Sequence, residues 1–273
     1  MAMKFSPREL LAKHQREPII EVSGLKACYG DTVVLDGVDL NIRRGETMVI
    51  LGGSGSGKST LLRHIEGLER PAGGSVRICG IDLAKATYQQ LFALRRMMGV
   101  SFQSAAMFNS MTVGENVALP LLEHTDLAES TINLMTRMKL QQVGLSGVED
   151  LYPMQLSGGM RKRASLARAL AMDPEILLFD EPSAGLDPVI AAGLDELILR
   201  LKSAFRITII VVTHALSSAF RIADRMCMLY EGKMLAVGTV DEIRSHPHPR
   251  IHQFINRIPS QPEASSHHYI TGF

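Results

Sequence analysis

The sequence predicts an α/β protein built on a mostly parallel sheet, and three patterns carry that expectation. First, short apolar strands alternate with helical stretches: residues 47–51 precede a helix from Lys58, 176–179 precede one after Pro188, and 207–212 precede one from Ala215. Strands that read as unbroken apolar runs are those buried on both faces, which a parallel sheet covered by helices requires. Second, the opening is β-rich: residues 19–22, 33–35 and 38–42 are strand-like and separated by Gly and Asp turns. Third, strand signals vanish between about residues 104 and 172. There Asp126 and Glu129 read as a capping box ahead of an apolar stripe of Leu134, Met135 and Met138, so a helical subdomain is expected.

The main domain is expected over residues 19–245. Residues 1–18 read as an appendage, with a helix-start signal at Ser6, Pro7 and Glu9 and a stop at Pro18. In the closing segment, 246–273, Ile251, Phe254, Ile255 and Ile258 are spaced i, i+3, i+4, i+7 between Pro249 and Pro259. That spacing predicts a short amphipathic helix, followed by a polar tail expected to be mobile.

A 273-residue chain with 46% apolar residues can bury a sizeable core. Its 29 basic and 28 acidic residues nearly cancel, which leaves no strong field to hold a polyanion, and nucleic acid is not an expected partner. Cys28, Cys79 and Cys227 form no Cys-x-x-Cys arrangement and read as free thiols of a reducing compartment. No apolar run reaches the ~18 residues needed to span a bilayer, and no secretory signal stands at the N-terminus, so any membrane role is expected through a partner. His246, His248, His252, His267 and His268 are irregularly spaced, without acidic or thiol partners, and read as surface histidines rather than a metal site.

The chemistry begins after the first apolar strand. Gly52, Gly53, Ser54, Gly55, Ser56, Gly57, Lys58, Ser59 and Thr60 fit the phosphate-loop pattern G-x-x-x-x-G-K-[ST]. The glycines let main-chain N–H groups turn inward around phosphate oxygens, and the following helix adds the positive end of its dipole. In the general template for such loops, Lys58 reaches the β and γ phosphates and the Ser59 hydroxyl ligates Mg²⁺. The run 176–179 then ends in Asp180 and Glu181 at the carboxyl edge of the sheet, where ligands of open α/β sheets bind. Asp180 is expected to hold Mg²⁺, and Glu181 to polarise the attacking water. A third strand ends at Thr213 and His214, whose imidazole is placed to act near the γ-phosphate.

Leu156, Ser157, Gly158, Gly159 and Met160, followed by the basic run Arg161, Lys162 and Arg163, resemble the signature of ABC ATPases. The order phosphate loop, Gln103, signature, Asp180 and Glu181, Asp187, His214 is similar to that family over roughly residues 19–240. The resemblance implies a P-loop cassette of two lobes, with an N-terminal antiparallel β subdomain and an inserted helical subdomain, paired head to tail with a second copy. It further implies that Ser157, Gly158 and Gly159 present a helix start to the γ-phosphate of an ATP held by the opposite subunit. In the same way, Gln103 touches Mg²⁺ and links the lobes, Tyr29 stacks on adenine, and Asp187 lies in a segment crossing the dimer interface. Two residues depart from the commonest pattern: Met160 stands where Gln is usual, and Ala215 follows His214 where Asp is frequent.

Within the family, residues 100–121 resemble the Mla-type, Mce-associated branch, whose signatures also tend to end in Met before basic residues. That resemblance implies ATP-driven phospholipid movement between the bacterial inner membrane and outer envelope. A membrane permease and a periplasmic MCE-type lipid-binding protein would be partners, with this subunit on the cytoplasmic face. Met107, Phe108 and Met111 suit the pocket that receives a short permease helix, or serve the core. Cassettes for lipoprotein, amino acid or solvent efflux remain the alternative. Non-transport ABC proteins fit less well, because one phosphate loop, one signature and no sustained heptads occur. Neither a GTPase nor a small-molecule kinase accounts for residues 156–160.

Overall fold

The computed structural model describes residues 18–259. The expected N-terminal helix start and the tail with His267 and His268 lie outside those residues.

A six-stranded sheet forms the centre, in the order β10-β9-β3-β8-β7-β6. Its members are β3 (Thr47–Leu51), β6 (Met98–Ser101), β7 (Ile176–Asp180), β8 (Thr208–Val212), β9 (Arg225–Tyr230) and β10 (Lys233–Thr239). All neighbours are parallel except the β9/β10 hairpin. Alternate residues serve different cores. Val49, Leu177, Phe179, Ile209, Val211 and Met226 face one apolar cluster, while Met48, Ile50, Leu178, Ile210, Val212 and Cys227 face another. Two buried faces explain why these strands carry no polar alternation in sequence.

The second cluster is roofed by an antiparallel sheet, β2-β1-β4-β5, made of β1 (Ile20–Tyr29), β2 (Thr32–Ile42), β4 (Gly73–Ile78) and β5 (Ile81–Asp82). Helix α1 (Lys58–Ile65) contributes Leu61, Leu62 and Ile65 to the same cluster. Helix α2 (Tyr88–Arg96) leads into β6. The other cluster is covered by α3 (Val113–His124), α5 (Gly158–Ala169), α6 (Pro188–Phe205) and α7 (Leu216–Ile222), and α4 (Glu129–Gln142) packs on α3 and α5. Two short helices, α8 (Val240–Arg244) and α9 (Pro249–Ile255), close the described chain.

Three expectations are corrected. The runs 33–35 and 38–42 belong to one strand, because register shifts along the β1/β2 pair and a positive φ of 72° at Gly37 absorb the turn residues as bulges. The Asp126 capping box does not form: α4 starts at Glu129, its N-cap is Ala128, and no side chain caps it. Leu134 and Met138 are exposed, and Ile132 and Leu140 are buried in their place, so the helix turns a different face inward. In the closing helix Ile251 is buried and Phe254 and Ile255 pack on the core, whereas Ile258 lies beyond the last turn and is exposed.

Candidate functional site

Strands β3, β8, β7 and β6 are adjacent and parallel, so the loops that follow them emerge side by side at one edge. Hydrogen bonds fix these loops to one another: Thr213 N–H donates to Ile50 O at 3.2 Å and Glu181 N–H to Val212 O at 2.9 Å. The phosphate loop, Asp180–Glu181 and Thr213–His214 are thereby brought together, as the sequence predicts.

Gly57 ends the loop and caps α1 with a left-handed φ of 101°. A Cβ there would sit 2.6 Å from Leu35 Cδ2 and 3.1 Å from Val34 O, so both conformation and space require glycine. Lys58 is buried and its Nζ donates to Gly52 O at 2.9 Å and Gly53 O at 2.8 Å. Burial pulls its pKa down, against the opposing pull of the Glu181 and Asp180 carboxylates. Its two close hydrogen-bond partners are neutral carbonyls, which suits a lysine meant to meet an anionic phosphate.

Asp180 shows the converse. Burial and the neighbouring Glu181 raise its pKa, while Lys58, Arg63 and a hydrogen bond from the Ser59 hydroxyl resist. Two adjacent carboxylates with a hydroxyl bonded to one of them form an all-oxygen donor set under excess negative potential, the chemistry a hard divalent cation such as Mg²⁺ matches. Glu181 occupies a left-handed backbone position, φ 49°, uncommon for a residue with a side chain. Its carboxylate accepts from Thr213 Oγ1 at 3.0 Å and pairs with His214 Nδ1 at 2.8 Å. Glu181 is thus a largely buried acid, held by Thr213 and tethered to the exposed imidazole of His214.

Tyr29 ends β1 and is 46% exposed, and its hydroxyl donates to Glu69 Oε2 at 2.6 Å. Arg63, on α1, donates to Glu69 Oε1 at 3.4 Å. The exposed tyrosine is therefore tied to the helix that carries the phosphate loop.

Ser157 caps α5, accepting from Met160 N–H at 3.2 Å. Gly159 lies against α6, since a Cβ on it would be 2.7 Å from Ile190 Cγ2. Asp187 caps α6 by accepting from the Val189 and Ile190 N–H groups, both at 3.0 Å. Ser157, Gly158, Gly159 and Asp187 therefore share a second surface, and among the described residues no hydrogen bond joins it to the phosphate loop. The chain thus has a glycine-rich loop at one helix start and a second, capped helix start with no hydrogen bond to it among the described residues. Gln103 is exposed just beyond β6.

Sequence reasoning missed the residues that hold the loop after β6. Asn116 is fully buried; its side chain accepts from Phe108 N–H and donates to the carbonyls of Phe108, Met111 and Thr112. Arg168 donates to Ala106 O at 2.8 Å and Ala105 O at 3.1 Å, gripping two alanines with positive φ. The signal was present for Asn116, a polar residue among the apolar positions of its helix, because such a group buries only where partners exist.

A family model described as ABC transporter matches residues 35–184, more than half of the chain. The chain belongs to the ABC transporter family. The intermembrane phospholipid transport system ATP-binding protein MlaF of Haemophilus influenzae is 40% identical over 237 residues, covering 87% of this chain and 90% of that protein. The probable ribonucleotide transport ATP-binding protein mkl of Mycobacterium leprae is 43% identical over 237 residues, covering 87% of this chain and 68% of its own length. Among solved structures, the dimeric post-hydrolysis state of the ATP-binding cassette MJ0796, bound to ADP and Pi, matches with a TM-score of 0.73 at 30% identity, covering 81% of this chain and 98% of that one. This chain is accordingly the ATP-hydrolysing subunit of a transporter, and cassettes of its family are dimeric. No described helix is long and apolar enough to cross a membrane.

Proposed function

We propose that this cassette hydrolyses ATP between two copies of itself to drive phospholipid transport through a membrane permease. The observation that carries the reading is an exposed, capped helix start at Ser157 and Gly158 that no hydrogen bond among the described residues joins to the phosphate loop. Head-to-tail pairing brings each helix tip to the partner's cradle and completes two sites at once.

In this reading residues 52–60 cradle the triphosphate and Lys58 balances its β and γ charge. Ser59, Asp180 and Gln103 would hold Mg²⁺, which neutralises charge developing on the phosphate oxygens when bound. Glu181 takes the proton of the attacking water, and His214, hydrogen-bonded to Glu181, fixes that carboxylate and donates toward the γ-phosphate. Tyr29 stacks on the adenine, and Asp187 shapes the segment that crosses between subunits. ATP closes the pair and loss of the γ-phosphate reopens it. Functionally, the cassette is the stretch 19–245, flanked by the 1–18 and 246–273 segments.

The phospholipid assignment is supported by the likeness to the MlaF relative across nearly its whole length. In this reading the subunit sits on the cytoplasmic side of the inner membrane, held by the permease, with an MCE-type lipid-binding protein beyond it. Glu181→Gln should keep ATP binding and lock the dimer while phosphate release falls at least about a thousandfold. Size-exclusion chromatography with ATP, alongside phosphate release, reads both, and normal turnover in the variant would remove Glu181 from its role.

A further inference from the structure

Of the basic run that follows the signature, only Lys162 turns toward the catalytic edge. Arg161 is exposed, and Arg163 donates instead to Val143 O at 2.8 Å. Lys162 is 8% exposed, and its Nζ donates to the main-chain carbonyl of Gln103 at 2.5 Å and that of Glu181 at 3.4 Å. Burial pulls its pKa down, and the Glu181 and Asp180 carboxylates act in the opposite sense. A buried ammonium is costly unless its N–H groups find acceptors, so its place here is set by those two carbonyls and the carboxylates beyond them.

The position of the two carbonyls gives the contact its meaning. Gln103 follows β6 and Glu181 follows β7, neighbouring strands paired as far as Ser101 and Phe179. Past that pair the ladder no longer fixes one chain relative to the other. Lys162 bridges them where the sheet stops, and it does so from α5, whose first residues form the signature. Glu181 also needs holding, because a left-handed backbone at a residue with a Cβ persists only where the surroundings enforce it. Farther along the same helix Arg168 grips Ala105 and Ala106, so α5 holds the loop after β6 at two places.

We propose that Lys162 is a positioning residue, a strut that ties the Gln103 loop and the Glu181 backbone to the signature helix so that all three move as a unit. The proposal rests on the assignment of Gln103, Glu181 and the signature to the ATP site. Movement of α5 when the second copy's phosphate docks on its N-terminus then displaces the Gln103 loop and the hydrolytic carboxylate together. No contact between Lys162 and the nucleotide is required.

Lys162→Met keeps the length of the side chain and removes its donors, whereas Lys162→Arg keeps charge and donors. Amide hydrogen exchange of the full chain should accelerate about tenfold in the Met variant at residues 102–106 and 181–183, with other helices unchanged. In the same variant kcat for ATP should fall about tenfold with KM altered less than about twofold, and the Arg variant should recover most of both signals. Unchanged local exchange with unchanged kcat would overturn the proposal. So would exchange that rises throughout the chain while kcat and KM worsen together and Arg fails to rescue, because Lys162 would then be supporting the fold alone. If the unaltered protein hydrolysed no ATP, the ATP-site assignment would fall, and the exchange pattern would still decide whether the strut exists.

Discussion

Glu66 follows the last turn of α1, 7% exposed and close enough to Asp180 to feel its charge. Burial first, then Asp180, raise its pKa from an ordinary 4.5 to about 7 against the pull of Arg63. The folded state therefore holds this proton more tightly than the unfolded chain does. The resulting stability is fully present below about pH 4.5 and is lost as pH rises through about 7. Glu66→Gln should accordingly match the parent near pH 4.5 and exceed it at pH 8 by on the order of 2–3 kcal/mol in urea unfolding. Equal pH slopes for the two proteins would contradict the buried-acid account. Single residues also show the limit of reading a sequence: Lys58, Ser59, Asp180 and Glu181 stood out through motif position, whereas Glu66 and Lys162 matter through neighbours distant in sequence.

At the scale of elements, the catalytic edge depends on how closely β6 lies against α5. Gly99 has room for no side chain, since a Cβ would sit 2.2 Å from Ala169 O and 3.1 Å from Leu177 Cδ1. Gly99→Ala should force strand and helix apart, lowering stability by about 1–3 kcal/mol and raising the mobility of the Gln103 loop. Denaturant midpoints together with exchange at residues 102–106 measure both, and an unshifted midpoint would mean the helix can retreat freely. The central strands were legible because burial on both faces leaves an unbroken apolar signature. The α4 boundary was not: Asp126 and Glu129 have the spacing of a capping box, yet the N-cap is Ala128, and only packing on α3 and α5 chose the face.

For the whole molecule, the proposed function requires surfaces that one chain cannot complete. The groove lined by Phe92, Val100, Phe102, Phe108, Leu119 and Pro120 lies beside the Gln103 loop. Phe108 is 52% exposed there, while Met107 packs on the core. Purified from membranes under mild detergent, the Glu181→Gln protein should carry an integral membrane partner and phospholipid detectable by mass spectrometry. Recovery of a ribonucleotide-binding complex without lipid would favour the substrate named for the mycobacterial relative.

Contiguous residues encode the alternating αβ order, the phosphate loop, the carboxylates Asp180 and Glu181 at the end of β7 and the signature, through local rules of spacing and backbone freedom. The packed fold alone shows that Lys162 reaches Gln103 and Glu181 and that Glu69 holds Tyr29. Such relations arise where parallel strands set loops from distant parts of the chain side by side, and no local pattern records which side chain will cross between them.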